Sequence, residues 1–256
     1  MLEGIETGYE ARYDFPHRPA SPRRVYMLAS VPRSGSTLLS HLLWESGCLG
    51  APLEYLNFLP QGPYSFAHAS AEAQMRTWQG VLHRRTSPNG VFGVKCFPLQ
   101  LRELQQRNPP LLMEVLNLLL LRNPNPRVVR LKRRDTLAHS ISYARAALSG
   151  IWRKEQEASG GVKVGYSRKA VEDARALIEH AEGEWDLLFG ELGVEPLTLW
   201  HEDVVERPAE AARAVASFLD VELEPEAAIS IPRVEKQSAS DGAFWADRYA
   251  SSVGRE

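Results

Sequence analysis

The sequence predicts an α/β fold: a three-layer sandwich whose mostly parallel central sheet is flanked by helices on both faces. Three observations lead there. Short apolar or β-branched runs alternate along the chain with longer segments of helical periodicity. The first such run passes through a Gly/Ser turn directly into a helix, the order in which many proteins present backbone amides to a phosphate. The chain has 256 residues, 44% hydrophobic and 24% charged, which suits one soluble domain rather than a disordered or fibrous protein.

Residues 1–24 read as a polar arm, carrying Glu3, Glu6, Glu10 and Asp14 and interrupted by Pro16, Pro19 and Pro22. They lack the apolar stretch of a signal peptide. Arg24–Ala29 is the first strand, and Leu38, Leu39, Leu42 and Leu43 mark a helix ending near Gly47. A helix over 71–85 and the turn Ser87-Pro88-Asn89-Gly90 precede a second strand, Val91–Lys95. Helices at 99–107 and 110–121 follow, up to the break at 123–126. The apolar run within 111–121 is interrupted by Glu114 and Asn117 and is too short to span a membrane.

Arg127–Arg133 is rich in β-branched residues and reads as a third strand, and Asp135-Thr136 opens a helix that runs to about Ser149. Residues 153–167, charged and glycine-containing, read as a mobile loop. A long helix over 168–192, a fourth strand at Pro196–Trp200 and a helix begun by Pro208 complete the order.

Lys plus Arg is 30 and Asp plus Glu is 32, so the net charge of −2 argues against a protein that coats nucleic acid. Two cysteines, Cys48 and Cys96, make neither a disulfide framework nor a four-ligand zinc site, and no metal site is expected. The expectation is a cytoplasmic protein without a membrane span.

The turn after the first strand carries the first chemical signal. A Walker A loop, G-x-x-x-x-G-K-[ST], uses its lysine on the β/γ-phosphates and its hydroxyl on Mg²⁺. Aligned on Gly35 and Thr37, this chain has Ser30 at the first glycine and Ser36 at the lysine. The cation sits three residues upstream, at Arg33. The amide nest and helix N-terminus remain without the triphosphate lysine, so the fold is P-loop-like and the donor is a different phosphate compound. A second signal ends the third strand: Lys132-Arg133-Arg134, with Ser142 eight residues beyond Arg134. An arginine at the strand end and a serine two turns into the next helix can converge on one phosphate.

Together these motifs resemble the sulfotransferase family, which uses 3′-phosphoadenosine 5′-phosphosulfate (PAPS) as donor. Pro32-Arg33-Ser34-Gly35-Ser36-Thr37 matches its P-[KR]-[ST]-G-[ST]-[TS] loop for the 5′-phosphosulfate. The run from Arg134 to Ser142 matches its R-x7-S element for the 3′-phosphate. Within that family the likeness is to the bacterial trehalose 2-sulfotransferase type. It is carried by Pro52-Leu53-Glu54-Tyr55, Asn89–Lys95, Glu202-Asp203-Val204, and Lys236-Gln237-Ser238-Ala239 followed by Trp245 and Arg248-Tyr249.

The resemblance implies one sulfotransferase domain over 25–256 and a donor held by Arg33, Ser34, Gly35, Ser36, Thr37, Arg134, Ser142, Lys236 and Gln237. It implies a carbohydrate acceptor, a trehalose-like sugar or glycolipid precursor, or another small molecule, and a homodimer.

Animal-type members carry a K-x-H element at the second strand as general base; here the run is Lys95-Cys96-Phe97 and the histidine is missing. The trehalose type puts the base on Glu54, where a partly dry pocket would favour base catalysis. His83 and His139 remain alternative bases. Lys95 reaches the transferring sulfuryl group by position, or else lays its stem along apolar surface. Two other readings fit the same residues: a small-molecule kinase with a degenerate loop, and a catalytically silent nucleotide-binding module.

Overall fold

The computed structural model describes residues 6–16, 21–152, 156, 164–232 and 239–253, with backbone alone for 239–241 and 253. Four strands, β1 (Arg24–Ala29), β2 (Val91–Cys96), β3 (Val128–Lys132) and β4 (Leu197–Trp200), form one parallel sheet in the order β2-β1-β3-β4. A parallel sheet covered on both faces needs apolar side chains on both, and β1 supplies them by simple alternation. Val25, Met27 and Ala29 enter one core, and Tyr26 and Leu28 enter the other.

The first core is closed by Trp78 of α2 (Ala71–Arg84), Leu104 of α3 (Pro98–Arg107), Leu111 and Val115 of α4 (Pro109–Leu116), and Trp185 and Phe189 of α6 (Arg168–Leu192). On the opposite face lie Leu39 and Leu43 of α1 (Ser36–Glu45), Val204 of α7 (His201–Glu206) and Val215 of α8 (Pro208–Phe218). A smaller cluster around Trp245 joins α5 (Thr136–Ser149), α6 and α9 (Ala239–Val253). The predicted three-layer α/β architecture is the one observed.

Local chemistry sets most boundaries where the sequence places them. The Asp135 carboxylate accepts from the Ala138 N–H at 2.8 Å and opens α5, and Gly150 closes it in the left-handed conformation at φ 72°. The single helix expected over 110–121 divides: α4 ends at Leu116 and a π-helical turn spans Asn117–Leu121. The wider turn buries both Leu119 and Leu120 in the first core. The third strand is one residue shorter at each end than expected. Residues 6–16 are not a loose arm, since Phe15 is buried in the core and Ala11–Tyr13 form a 3₁₀ turn. Most of the expected 153–167 loop lies outside the described residues. Among the described residues, no helix is long and apolar enough to cross a membrane.

The chain leaves β1 to form β2 on one side and later forms β3 on the other. Such a reversal opens a crevice at the carboxyl ends of the strands. The segments that follow β1 and β3 meet there, and they are the two motifs singled out by sequence.

Candidate active site

The loop after β1 is built to bring amides and a cation to one place. Gly35, at φ 90°, precedes α1 without a side-chain cap, so the first-turn amides of α1 keep their outward donors. Arg33 is one of only two non-glycine residues with positive φ, at 69°, among the described residues. That conformation costs about 1 kcal/mol for a side chain with a Cβ, so neighbours must hold it. His139 does so from α5: its Nε2 lies 2.8 Å from the Pro32 carbonyl, and Arg133 Nη1 reaches the Arg33 carbonyl at 3.4 Å. Burial pushes the His139 pKa down to about 4, with the Arg133 and Arg33 charges helping and the Pro32 carbonyl opposing. The ring is therefore neutral near pH 7, with Nε2–H as the donor to Pro32.

The Arg33 side chain points across the crevice. Its Nε donates to Ser142 Oγ at 3.1 Å and its Nη1 to the Trp152 carbonyl at 2.6 Å. Two residues predicted for opposite ends of the donor thus touch each other directly. Ser34 Oγ and Arg133 Nε are buried and have no hydrogen-bond partner among the described residues. Buried donors in native proteins are almost always paired, so this pair of orphans beside a helix N-terminus fits an anionic ligand.

Glu54 is placed from the other side of the crevice. Leu53 makes a one-residue parallel bridge to Val94, and the Lys95 N–H donates to the Leu53 carbonyl at 3.0 Å. This edge pairing sets Glu54 beside the Lys95 side chain. Lys95 Nζ lies 3.1 Å from Glu54 Oε1 and 3.1 Å from Thr37 Oγ1. The lysine side chain is 2% exposed and the carboxylate 17%, so the pair is largely shielded from water. Glu54 Oε2 accepts from Asn57 Nδ2 at 2.9 Å and from Gln100 Nε2 at 3.1 Å. Gln100 also caps α3, its Oε1 accepting from the Phe97 N–H at 3.1 Å. The carboxylate is therefore fixed by one cation and two amides, and the cation links it to the phosphate loop.

The end of β3 differs from the sequence reading in one respect. Arg134 makes a two-pronged ion pair with Asp203, at 2.8 and 2.7 Å, and stacks on the Trp200 ring. Glu202 accepts from the Arg134 and Asp135 N–H groups; burial alone would raise its pKa, but these bonds hold it below the usual carboxylate range. Arg133, to which the sequence reading gave no site role, donates from its guanidinium to the loop. Continuing the alternation of β3 places it on the α1 face with Val129 and Leu131, a signal available in the sequence.

His201 is a second omission. A Cβ on Gly35 would lie 2.1 Å from His201 Nδ1, so this ring covers the loop glycine. Of the alternative bases, His139 is committed to the loop through Nε2, and His83 is exposed near the end of α2. Lys236 and Gln237 lie outside the described residues. Among the described residues, no group of three His, Cys, Asp or Glu side chains is arranged to hold a metal ion.

Fold and site together define an α/β protein with a phosphate-loop-like turn after β1, whose arginine, three residues upstream of the Walker lysine position, points across the crevice. The model of the Stf0 sulphotransferase family matches residues 25–252, and the chain belongs to that family; it is a sulfotransferase. Trehalose 2-sulfotransferase of Mycobacterium tuberculosis (strain ATCC 35801 / TMC 107 / Erdman) is 26% identical, over 91% of this chain and 96% of its own. The trehalose 2-sulfotransferase of Mycolicibacterium smegmatis (strain ATCC 700084 / mc(2)155) is 23% identical, over 90% and 96%. Among solved structures, the sulfotransferase domain from the curacin biosynthetic pathway aligns over 88% of this chain and 83% of its own, with 16% identity and a TM-score of 0.44.

Proposed function

We propose that the enzyme moves a sulfuryl group from PAPS to a hydroxyl of a carbohydrate, a trehalose-like sugar or glycolipid precursor, with Glu54 as general base. The observation that carries this reading is the run Glu54–Lys95–Thr37, which joins a carboxylate to the phosphate loop through one buried cation. In this reading the acceptor hydroxyl gives its proton to Glu54 as its oxygen bonds to sulfur. The bond from sulfur to the bridging oxygen of the 5′-phosphosulfate breaks, and the charge that grows on that oxygen falls to Arg33 and Lys95. Ser34, Gly35, Ser36 and Thr37 hold the 5′-phosphate at the helix N-terminus. Arg134 and Ser142 are assigned to the 3′-phosphate, with Lys236 and Gln237 closing over it, and Arg133 joins them. No metal ion is needed for this displacement. The trehalose 2-sulfotransferase relatives favour a sugar as acceptor.

The test is calorimetry with the product, 3′,5′-adenosine bisphosphate, in EDTA, followed by transfer of labelled sulfate from PAPS to a panel of sugars. Tight binding without metal and transfer to a sugar are expected. Binding only of a nucleoside triphosphate with Mg²⁺ would instead identify a kinase, and binding without transfer a silent nucleotide-binding module.

A further inference from the structure

The segment that precedes β1 reaches Glu54, although it lies ahead of the residues matched by the family model. Buried Arg85, just past α2, grips it at several points. Its Nη1 donates to the carbonyls of Gly8 at 2.9 Å and Tyr13 at 3.3 Å, and its Nη2 to that of Glu10 at 3.1 Å. Its Nε lies 3.0 Å from Asp14 Oδ1. A guanidinium removed from water must find such partners, so this contact fixes the segment firmly. Gly8, at φ 86°, lets the backbone approach Trp44, where a Cβ would come within 2.9 Å of the ring. The Glu10 carboxylate accepts from Thr7 N–H, Thr7 Oγ1–H and Gly8 N–H at 2.9, 2.9 and 2.8 Å, tightening the bend.

Tyr9 stands at the top of that bend. Its ring meets Tyr64 edge-on with centroids 5.5 Å apart and Tyr55 at 6.4 Å. Its hydroxyl oxygen accepts from the Glu54 N–H at 3.0 Å. The backbone of Glu54 is thereby held by Tyr9, while Lys95, Asn57 and Gln100 hold its carboxylate.

We propose that residues 6–15 form a strap that orients Glu54, with Tyr9 as a positioning residue and Arg85 as its anchor. The inference rests on the reading of Glu54 as the base. Tyr9 acts through Glu54, by keeping the carboxylate in line.

The test compares the full chain with Tyr9→Phe, Glu54→Gln and the double variant. It follows kcat with PAPS and trehalose, affinity for 3′,5′-adenosine bisphosphate, and melting temperature. Tyr9→Phe keeps both ring contacts and removes the hydroxyl that accepts from the Glu54 N–H. It should lower kcat about 3–10-fold, the scale of one hydrogen bond, and leave bisphosphate affinity unchanged. In the Glu54→Gln background the same change should cost nothing more, because a residue acting through another is non-additive with it. Unchanged kcat in Tyr9→Phe beside a severe loss in Glu54→Gln overturns the strap alone. So does an equal loss in both backgrounds, or a parallel loss of bisphosphate binding. Wild-type turnover in Glu54→Gln removes the base and the strap together.

Discussion

Replacing His139 by Gln tests how the phosphate loop is held. The imidazole ordinarily titrates near 6.5, and burial in the fold pushes it down to about 4. Between those values the unfolded chain binds a proton that the folded one refuses, so stability falls as pH drops through that window. Each pH unit of displacement corresponds to about 1.4 kcal/mol, which gives a full loss of about 3 kcal/mol below pH 4. Between pH 7 and pH 4.5 the loss is about 2 kcal/mol. Gln keeps an N–H that can reach the Pro32 carbonyl but does not titrate, so this loss should vanish from the variant. The assay is urea unfolding of both proteins at the two pH values, where contributions of all other groups cancel in the difference. A wild-type protein that loses about 2 kcal/mol more than His139→Gln supports the buried, neutral histidine. Equal pH dependence in the two proteins would refute it, and with it the claim that His139 holds the strained Arg33 turn as a neutral donor.

Lys95→Met removes the cation from a largely shielded Glu54 carboxylate, to which Asn57 and Gln100 still donate. It should cost about 3 kcal/mol in urea unfolding, the lower end of the range for breaking a buried pair because Glu54 keeps some exposure. Turnover should fall as well. Gly35→Ala puts a methyl within 2.1 Å of His201 Nδ1 at a left-handed φ. Calorimetry should show at least a roughly tenfold loss of bisphosphate affinity, since the loop must shift to relieve the clash.

The strands and helices were legible because their apolar periodicity is strong on both faces, as the alternation of Val25 to Ala29 between two cores shows. The meeting of Arg33 with Ser142 was legible as a shared ligand, though not as a direct contact. Glu54, Lys95 and Thr37 were each nameable in advance. Their joining depends on the Leu53–Val94 bridge, a tertiary pairing that no local pattern announces. The pairing of Arg134 with Asp203, sixty-nine residues downstream, is likewise a tertiary contact outside the reach of local pattern. The segment from Thr7 to Phe15 carries no periodicity because carbonyl contacts to Arg85 and aromatic edges hold it, rather than one apolar face. Hydrophobic spacing therefore shows only its polar composition.

In the proposed reaction Glu54 takes the acceptor proton beside a donor it does not itself bind. The direct measurement is labelled sulfuryl transfer from PAPS to trehalose by wild type and Glu54→Gln, with bisphosphate affinity measured on the same preparations. Turnover should fall by about 10²–10⁴ in Glu54→Gln, with affinity held within about twofold. Turnover in Glu54→Gln equal to wild type, or a fall explained by lost bisphosphate binding, would contradict it.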